Sequence, residues 1–320
     1  MNAVRSATRL VQVTSHISPT AIRTMSTTSK AKPAPWRAAF LEDVSEMASP
    51  EFTLATLHSS SSDPNSSSSN TSPRLRTVIF RGLWANLPVN PKNTAELNPP
   101  VFDSEVLTIT TDARMSKVAD FYASPPSAGK GPSGGGAPVE ACFWTPSKVQ
   151  WRVRGTAYII GPDIASSSAA SVRERLQSHM RPVPPSESET RRRDLDDAVR
   201  QNVVSGSGSG SEGDGDGDSW SFERELTAHF GNLSPGMRGS FRNPEPGTPR
   251  AANGPPDEDH RLGQKVTDLH DEIARQNFRV VAVVPTEVDQ TDLSDAEDPR
   301  HWLYRFVGAE AGWEKTELWP

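Results

Sequence analysis

The sequence predicts a mainly β protein, an all-β barrel with helices packed outside it. Two observations carry this. Roughly seven β-patterned segments run through the chain, with few helical segments and long loops between them. The low-complexity tracts fall between those segments and leave each one intact, which is how surface loops lengthen without disturbing a core.

The elements follow in order. Trp36, Phe40, Val44 and Met47 fall at helical spacing. Residues 52–57 alternate as a strand does. Residues 59–72 are almost all serine and cannot build a core. Residues 74–84 form the next strand, a Pro/Asn-rich connection covers 86–103, and 105–110 form a strand followed by a short helix over 114–122. After a Gly/Pro/Ser loop, residues 139–145 and 149–160 read as a hairpin with Pro146 and Ser147 in its turn.

Residues 172–180 look helical, and the mixed-charge run from Arg191 reads as a solvated helix face. The Ser-Gly and Gly-Asp repeats of 205–218 read as a linker, because they lack the ligand pattern and bidentate Glu of a calcium loop. A helix covers 220–230. A second starts with Ser234 as N-cap and Pro235 at the first helical position. Residues 266–276 are helical, 278–288 are a strong strand, and 302–307 and 313–319 are the last two strands. The expected organisation is a tail over 1–33 and one domain over 34–320, with disordered inserts near 59–72, 124–138, 183–219 and 244–262.

Apolar residues make up 34% of the chain and the mean hydropathy is −0.58, low for a chain globular throughout. Setting the Ser/Gly/Pro/Asp tracts aside leaves one medium domain with material for a core. No apolar run is long enough to span a bilayer. Cys142 is the single cysteine, which excludes an internal disulfide and a multi-cysteine metal site, and no metal is expected. In its apolar stretch it reads as a buried small hydrophobe.

Residues 1–41 hold Arg5, Arg9, Arg23, Lys30, Lys32 and Arg37 and no acid, so the rest of the chain is more acidic than the net charge of −6. An acidic body argues against nucleic acid as partner. The basic, Ser/Thr-rich start reads as a mitochondrial transit peptide, against the alternative of an inconsequential tail. Met25 offers an internal start that would give a cytoplasmic form.

Two basic segments carry the functional signal: Arg74-Leu75-Arg76-Thr77-Val78-Ile79-Phe80-Arg81-Gly82, and residues 107–117, which end Thr110-Thr111-Asp112-Ala113-Arg114-Met115-Ser116-Lys117. Guanidinium forks, an ammonium and hydroxyls at strand ends suit a phosphate monoester, which needs charge compensation and oriented donors. Arg76 and Arg81 lie five apart, so on one strand they would point to opposite faces, and Arg76 is favoured as the ligand. Lys117 alone would be an ordinary surface lysine. It gains weight from Arg114 and Ser116.

With Phe143-Trp144, the stretch Gln150-Trp151-Arg152-Val153-Arg154-Gly155 and the closing residues 312–320, these segments occur in an order that resembles the pyridoxamine 5′-phosphate oxidase-like FMN-binding split barrels. The resemblance implies an FMN-binding split β-barrel with peripheral helices, a homodimer with flavin at the subunit interface, and flavin-dependent oxidoreductase chemistry. It places Arg76, Arg114, Ser116 and Lys117 on the FMN phosphate, with Arg81 as a further cation and Thr111 as a hydroxyl ligand. It places Thr77 and Val78 along the ring, Gln150 at its polar edge, and Arg300 as a further contact. The alternative is a non-catalytic carrier or sensor of flavin or haem. The chain departs from true pyridoxamine-phosphate oxidases where substrate is engaged: their Arg-x-His spacing is not matched around Arg300 and His301, and Arg173, Arg175 and Arg181 give no clean match to their phosphate-binding helix.

Overall fold

The computed structural model describes residues 32–60, 70–122, 132–203, 219–250 and 258–320. Nearly all of the expected transit segment, and part of each expected insert, lie outside them. Other parts of the expected inserts lie in regular elements. β1 (Glu51–Ser60) and β2 (Asn70–Ile79) form a hairpin reaching well into the serine tract. Residues 185–203 form a helix, α4.

The remaining strands are β3 (Phe102–Ser104), β4 (Leu107–Asp112), β5 (Gly134–Trp144), β6 (Val149–Ile160), β7 (Met180–Pro182), β8 (Phe278–Asp292), β9 (Arg300–Gly308) and β10 (Gly312–Leu318). The principal sheet runs β10-β9-β8-β6-β5-β1-β2, and β4 pairs with β8 off that path. It closes because the chain beyond β2 turns onto β4: Arg81 N–H donates to Thr108 O at 2.8 Å, and Thr108 N–H donates to Gly82 O at 2.9 Å. Gly82 permits the turn. Its φ of +105° lies where a side chain is strained, and an added Cβ would sit 2.2 Å from Pro88.

The first half of β8 is buried on both faces. Val281 and Val283 enter the barrel core, while Val280, Ala282 and Val284 face a helical layer. A continuous Val/Ala run suits a strand covered on both sides. That layer contains α3 (Ala170–Gln177) and α5 (Phe222–Gly231). Between β6 and β8 the register slips at Gly155, where a Cβ would lie 2.2 Å from Val284 O.

α1 (Arg37–Ser45) plugs the barrel. Phe40 packs edge-on against Phe80, Phe143 and Trp151, with centroids 5.1–5.6 Å away. Trp151 is fully buried, and its indole N–H donates to Asp43 at 2.8 Å. Cys142 corrects the sequence reading, and Trp144 lies on the same face as it. They alternate with buried Phe143 and Ala141, so Trp144 is exposed on the outer face and Cys142 is half-buried there. The mixed-charge helix is likewise more than a solvated face, because Arg191 reaches buried Asp103 at 3.1 Å. Among the described residues no helix is long and apolar enough to cross a membrane.

Candidate functional site: a cationic cleft beside the barrel

A cleft of about 870 Å³ opens between the barrel and residues 237–250, with Leu262. The barrel wall supplies Thr77 and Val78 from β2, Arg81 from the turn, and Thr110, Thr111 and Asp112 from β4. Lys117 opens α2 (Lys117–Asp120) and completes this wall. The opposite wall comes from α6 (Pro235–Gly239) and the chain after it, with Met237, Ser240, Phe241 and Asn243. α6 starts where the sequence said it would: Ser234 caps it by accepting from Met237 N–H, and Pro235 follows.

Five of the ten sequence-selected residues therefore share this cleft: Thr77, Val78, Arg81, Thr111 and Lys117. Lys117 has no hydrogen-bond or ion-pair partner among the described residues. Burial, reinforced by the charge of Arg76, lowers its pKa, and Asp112 partly opposes that. The Arg81 side chain makes one long contact, Nε to Thr110 Oγ1 at 3.3 Å, and burial lowers its pKa as well. An anion entering the cleft would offset both penalties. The strand-parity argument that favoured Arg76 does not apply, because β2 ends at Ile79 and Arg81 sits on the turn beyond it.

Arg76 is engaged on its own chain, donating to Thr56 Oγ1 at 2.6 Å and to buried Asp120 at 3.1 Å. Asp120 also meets His58 Nδ1 at 2.7 Å and accepts from Thr56 Oγ1 at 2.7 Å. Arg114 is engaged too. It grips Asp112 through Nε (3.0 Å) and Nη2 (2.7 Å) and donates to the carbonyls of Phe241 and Asn243. It fastens the far wall of the cleft to the barrel. Ser116 is exposed, at the start of a helix of only four residues.

Gln150 and Arg300 are not brought to this cleft within one chain. They sit opposite Thr291 and Asp292, while Asp112 sits opposite Phe278. At roughly 3.3 Å per residue that length of β8 is on the order of 40 Å. Arg300 is half-buried there, bound to Asp298 and Glu317.

The far wall was invisible to the sequence reading. Ser240, Phe241 and Asn243 lie outside both basic segments. The Ser-Pro helix start predicted α6 but carried no sign of which surface it would cover.

Residues 33–161 match the model of the pyridoxamine 5′-phosphate oxidase, FMN-binding domain. A pyridoxamine 5′-phosphate oxidase-related, FMN binding protein from Nostoc punctiforme PCC 73102 is similar in structure. It has 21% identity and a TM-score of 0.46, covering 90% of this chain and 98% of that one. PhzG from Burkholderia lata 383, solved with tetrahydrophenazine-1-carboxylic acid, shows 13% identity and a TM-score of 0.36, covering 89% of each chain. No curated protein sequence matches the chain. Through residues 33–161, which supply all five of those cleft residues, this chain resembles the pyridoxamine 5′-phosphate oxidase, FMN-binding domain, and its described residues are mainly β.

Proposed function

We propose that the cleft binds FMN, with Arg81 and Lys117 on its phosphate, and that the protein is a flavin-dependent oxidoreductase. The observation that supports this most is the pairing of two partly buried cations, neither neutralised by a direct carboxylate contact, with a mostly apolar cleft of flavin-compatible size. Thr111 and Ser240 add hydroxyls to the lining, and Thr77 and Val78 offer an extended backbone edge for the ring. When bound, the flavin supplies the redox chemistry. The chain's own part is to bind it, orient it and keep water from one face.

A homodimer fits the same reading. Gln150 and Arg300, remote from the cleft of their own chain, would be available to the cleft of a second copy. The basic start of the chain supports delivery to mitochondria, which fluorescence of a fusion carrying residues 1–41 would test.

The deciding experiment is an FMN and riboflavin titration of the purified chain, followed by oxygen-uptake assays beginning with pyridoxamine phosphate. Tight FMN binding with flavin quenching and a clear preference over riboflavin is expected. A folded protein that takes up neither flavin would overturn the proposal. FMN binding without turnover of any substrate would favour the carrier reading.

A further inference from the structure

Away from the flavin cleft, and sharing no lining residue with it, a second cavity of about 400 Å³ lies between the 85–100 connection, α4 and α5. Its apolar lining comes from Leu87, Val89, Leu97, Pro100, Leu195 and Trp220, and Asn86 and Asn98 add amides. Arg191 on its wall is already spent, bound to Asp103 at 3.1 Å and Glu187 at 2.6 Å. The acidic groups left to the cavity are Asp194 and Glu225.

Glu225 is the unusual one. Only 4% of it is exposed, yet it meets no cation. Its Oε1 accepts from Ala85 N–H at 3.1 Å and its Oε2 accepts from Asn98 Nδ2 at 2.9 Å, both neutral donors. One turn on, His229 sits with Nε2 3.8 Å from Oε1, too far for a hydrogen bond. Neither ring nitrogen of His229 has a hydrogen-bond partner, although the residue is only 1% exposed. Burial, with the charge of Arg81 adding to it, drives its pKa down to about 3, so it brings no positive charge at neutral pH. A buried carboxylate is costly to ionise unless a cation meets it, and burial accordingly raises the pKa of Glu225.

We propose that this cavity binds a small organic cation, a primary amine with an apolar body, with Glu225 as its counter-charge. The ammonium brings the positive charge that the carboxylate lacks. The hydrocarbon part fills the Leu/Val/Pro lining, to which the Trp220 ring also belongs. The volume suits a body of about one ring.

The test uses the full chain and two probes of nearly the same shape, benzylammonium and benzyl alcohol, by calorimetry and tryptophan fluorescence at neutral pH. Benzylammonium should saturate one site, at least tenfold more tightly than the alcohol, whether or not FMN is present. Glu225→Gln should bring the two probes to parity, and Leu195→Trp, which narrows the cavity from a half-buried wall position, should remove amine binding. No saturable amine binding, equal affinity for the alcohol in the wild-type chain, or full retention in Leu195→Trp would each overturn the proposal. The amine–alcohol comparison decides even where Glu225→Gln loses the fold. Failure of flavin binding would leave this result untouched.

Discussion

Arg114 and Asp112 hold each other at two points, Nε to Oδ1 at 3.0 Å and Nη2 to Oδ2 at 2.7 Å, across a single turn of chain. The same guanidinium donates to the carbonyls of Phe241 and Asn243, so the pair pins the far wall of the cleft to the end of β4. A motif residue matched to phosphate binding thus has a structural use in the free chain. The cations left facing the cleft from the barrel wall are Arg81 and Lys117.

Lys117→Ala should weaken FMN binding roughly ten- to a hundredfold, the worth of one charge-assisted hydrogen bond at about 1.5–3 kcal/mol. Riboflavin, which lacks the phosphate, should lose less than about threefold. Fluorescence titration of both ligands checks this, and equal losses would refute the phosphate assignment.

Arg114→Ala should behave differently. It strands Asp112 and two carbonyls and frees the wall, so stability should fall by on the order of 1–3 kcal/mol. FMN and riboflavin should weaken together. Denaturant melts alongside the same titrations separate this variant from Lys117→Ala. A selective loss of FMN would return Arg114 to the phosphate.

Asp103 should make stability acid-sensitive. Burial alone would raise its carboxyl, but the charges of Arg37 and Arg181, with the hydrogen bond and charge of Arg191, outweigh that and hold it below the ordinary 3.8. The folded pKa is depressed, so its contribution is present above the unfolded value and disappears as pH falls through the folded one. Melting temperature against pH should drop more steeply below about pH 4 in the wild type than in Asp103→Asn. That variant should also be less stable at neutral pH, by roughly 3–5 kcal/mol, because it leaves three arginines short of a partner.

His301 works in the opposite sense. Burial would lower its pKa, but the hydrogen bond to Asp289, the contact with Trp319 O and the charge of Asp289 raise it above 6.5. With the folded value raised, the tie between β8 and β9 is fully present below the unfolded pKa and is lost as pH rises through the folded one. NMR titration of His301 should show a midpoint above 6.5, and His301→Phe should remove that part of the pH dependence.

Phe40→Ala should cost about 3–5 kcal/mol, since the ring is fully buried among Phe80, Phe143 and Trp151 and its loss leaves a cavity where α1 plugs the barrel. Chemical denaturation measures it directly. A loss below about 1 kcal/mol would mean that the plug does not contribute to the barrel's stability.

The sequence by itself determined the mainly β class, the hairpin around Pro146 and Ser147, the start of α6 at Ser234 and Pro235, and β8 as a strong strand. These rest on local physics: alternation, turn chemistry, capping, and an apolar run that suits burial on both faces. It also located the two basic segments from which the barrel wall of the cleft is built. Only the tertiary structure decided which cations face that cleft. The bend at Gly82 replaces strand parity at Arg81, and Asp120 and Asp112 take up Arg76 and Arg114 by position in the fold. The far wall, the outward faces of Trp144 and Cys142, and the separation of Gln150 and Arg300 from the cleft have the same origin. Each depends on which distant segment packs against a residue, and neither residue type nor spacing along the chain encodes that.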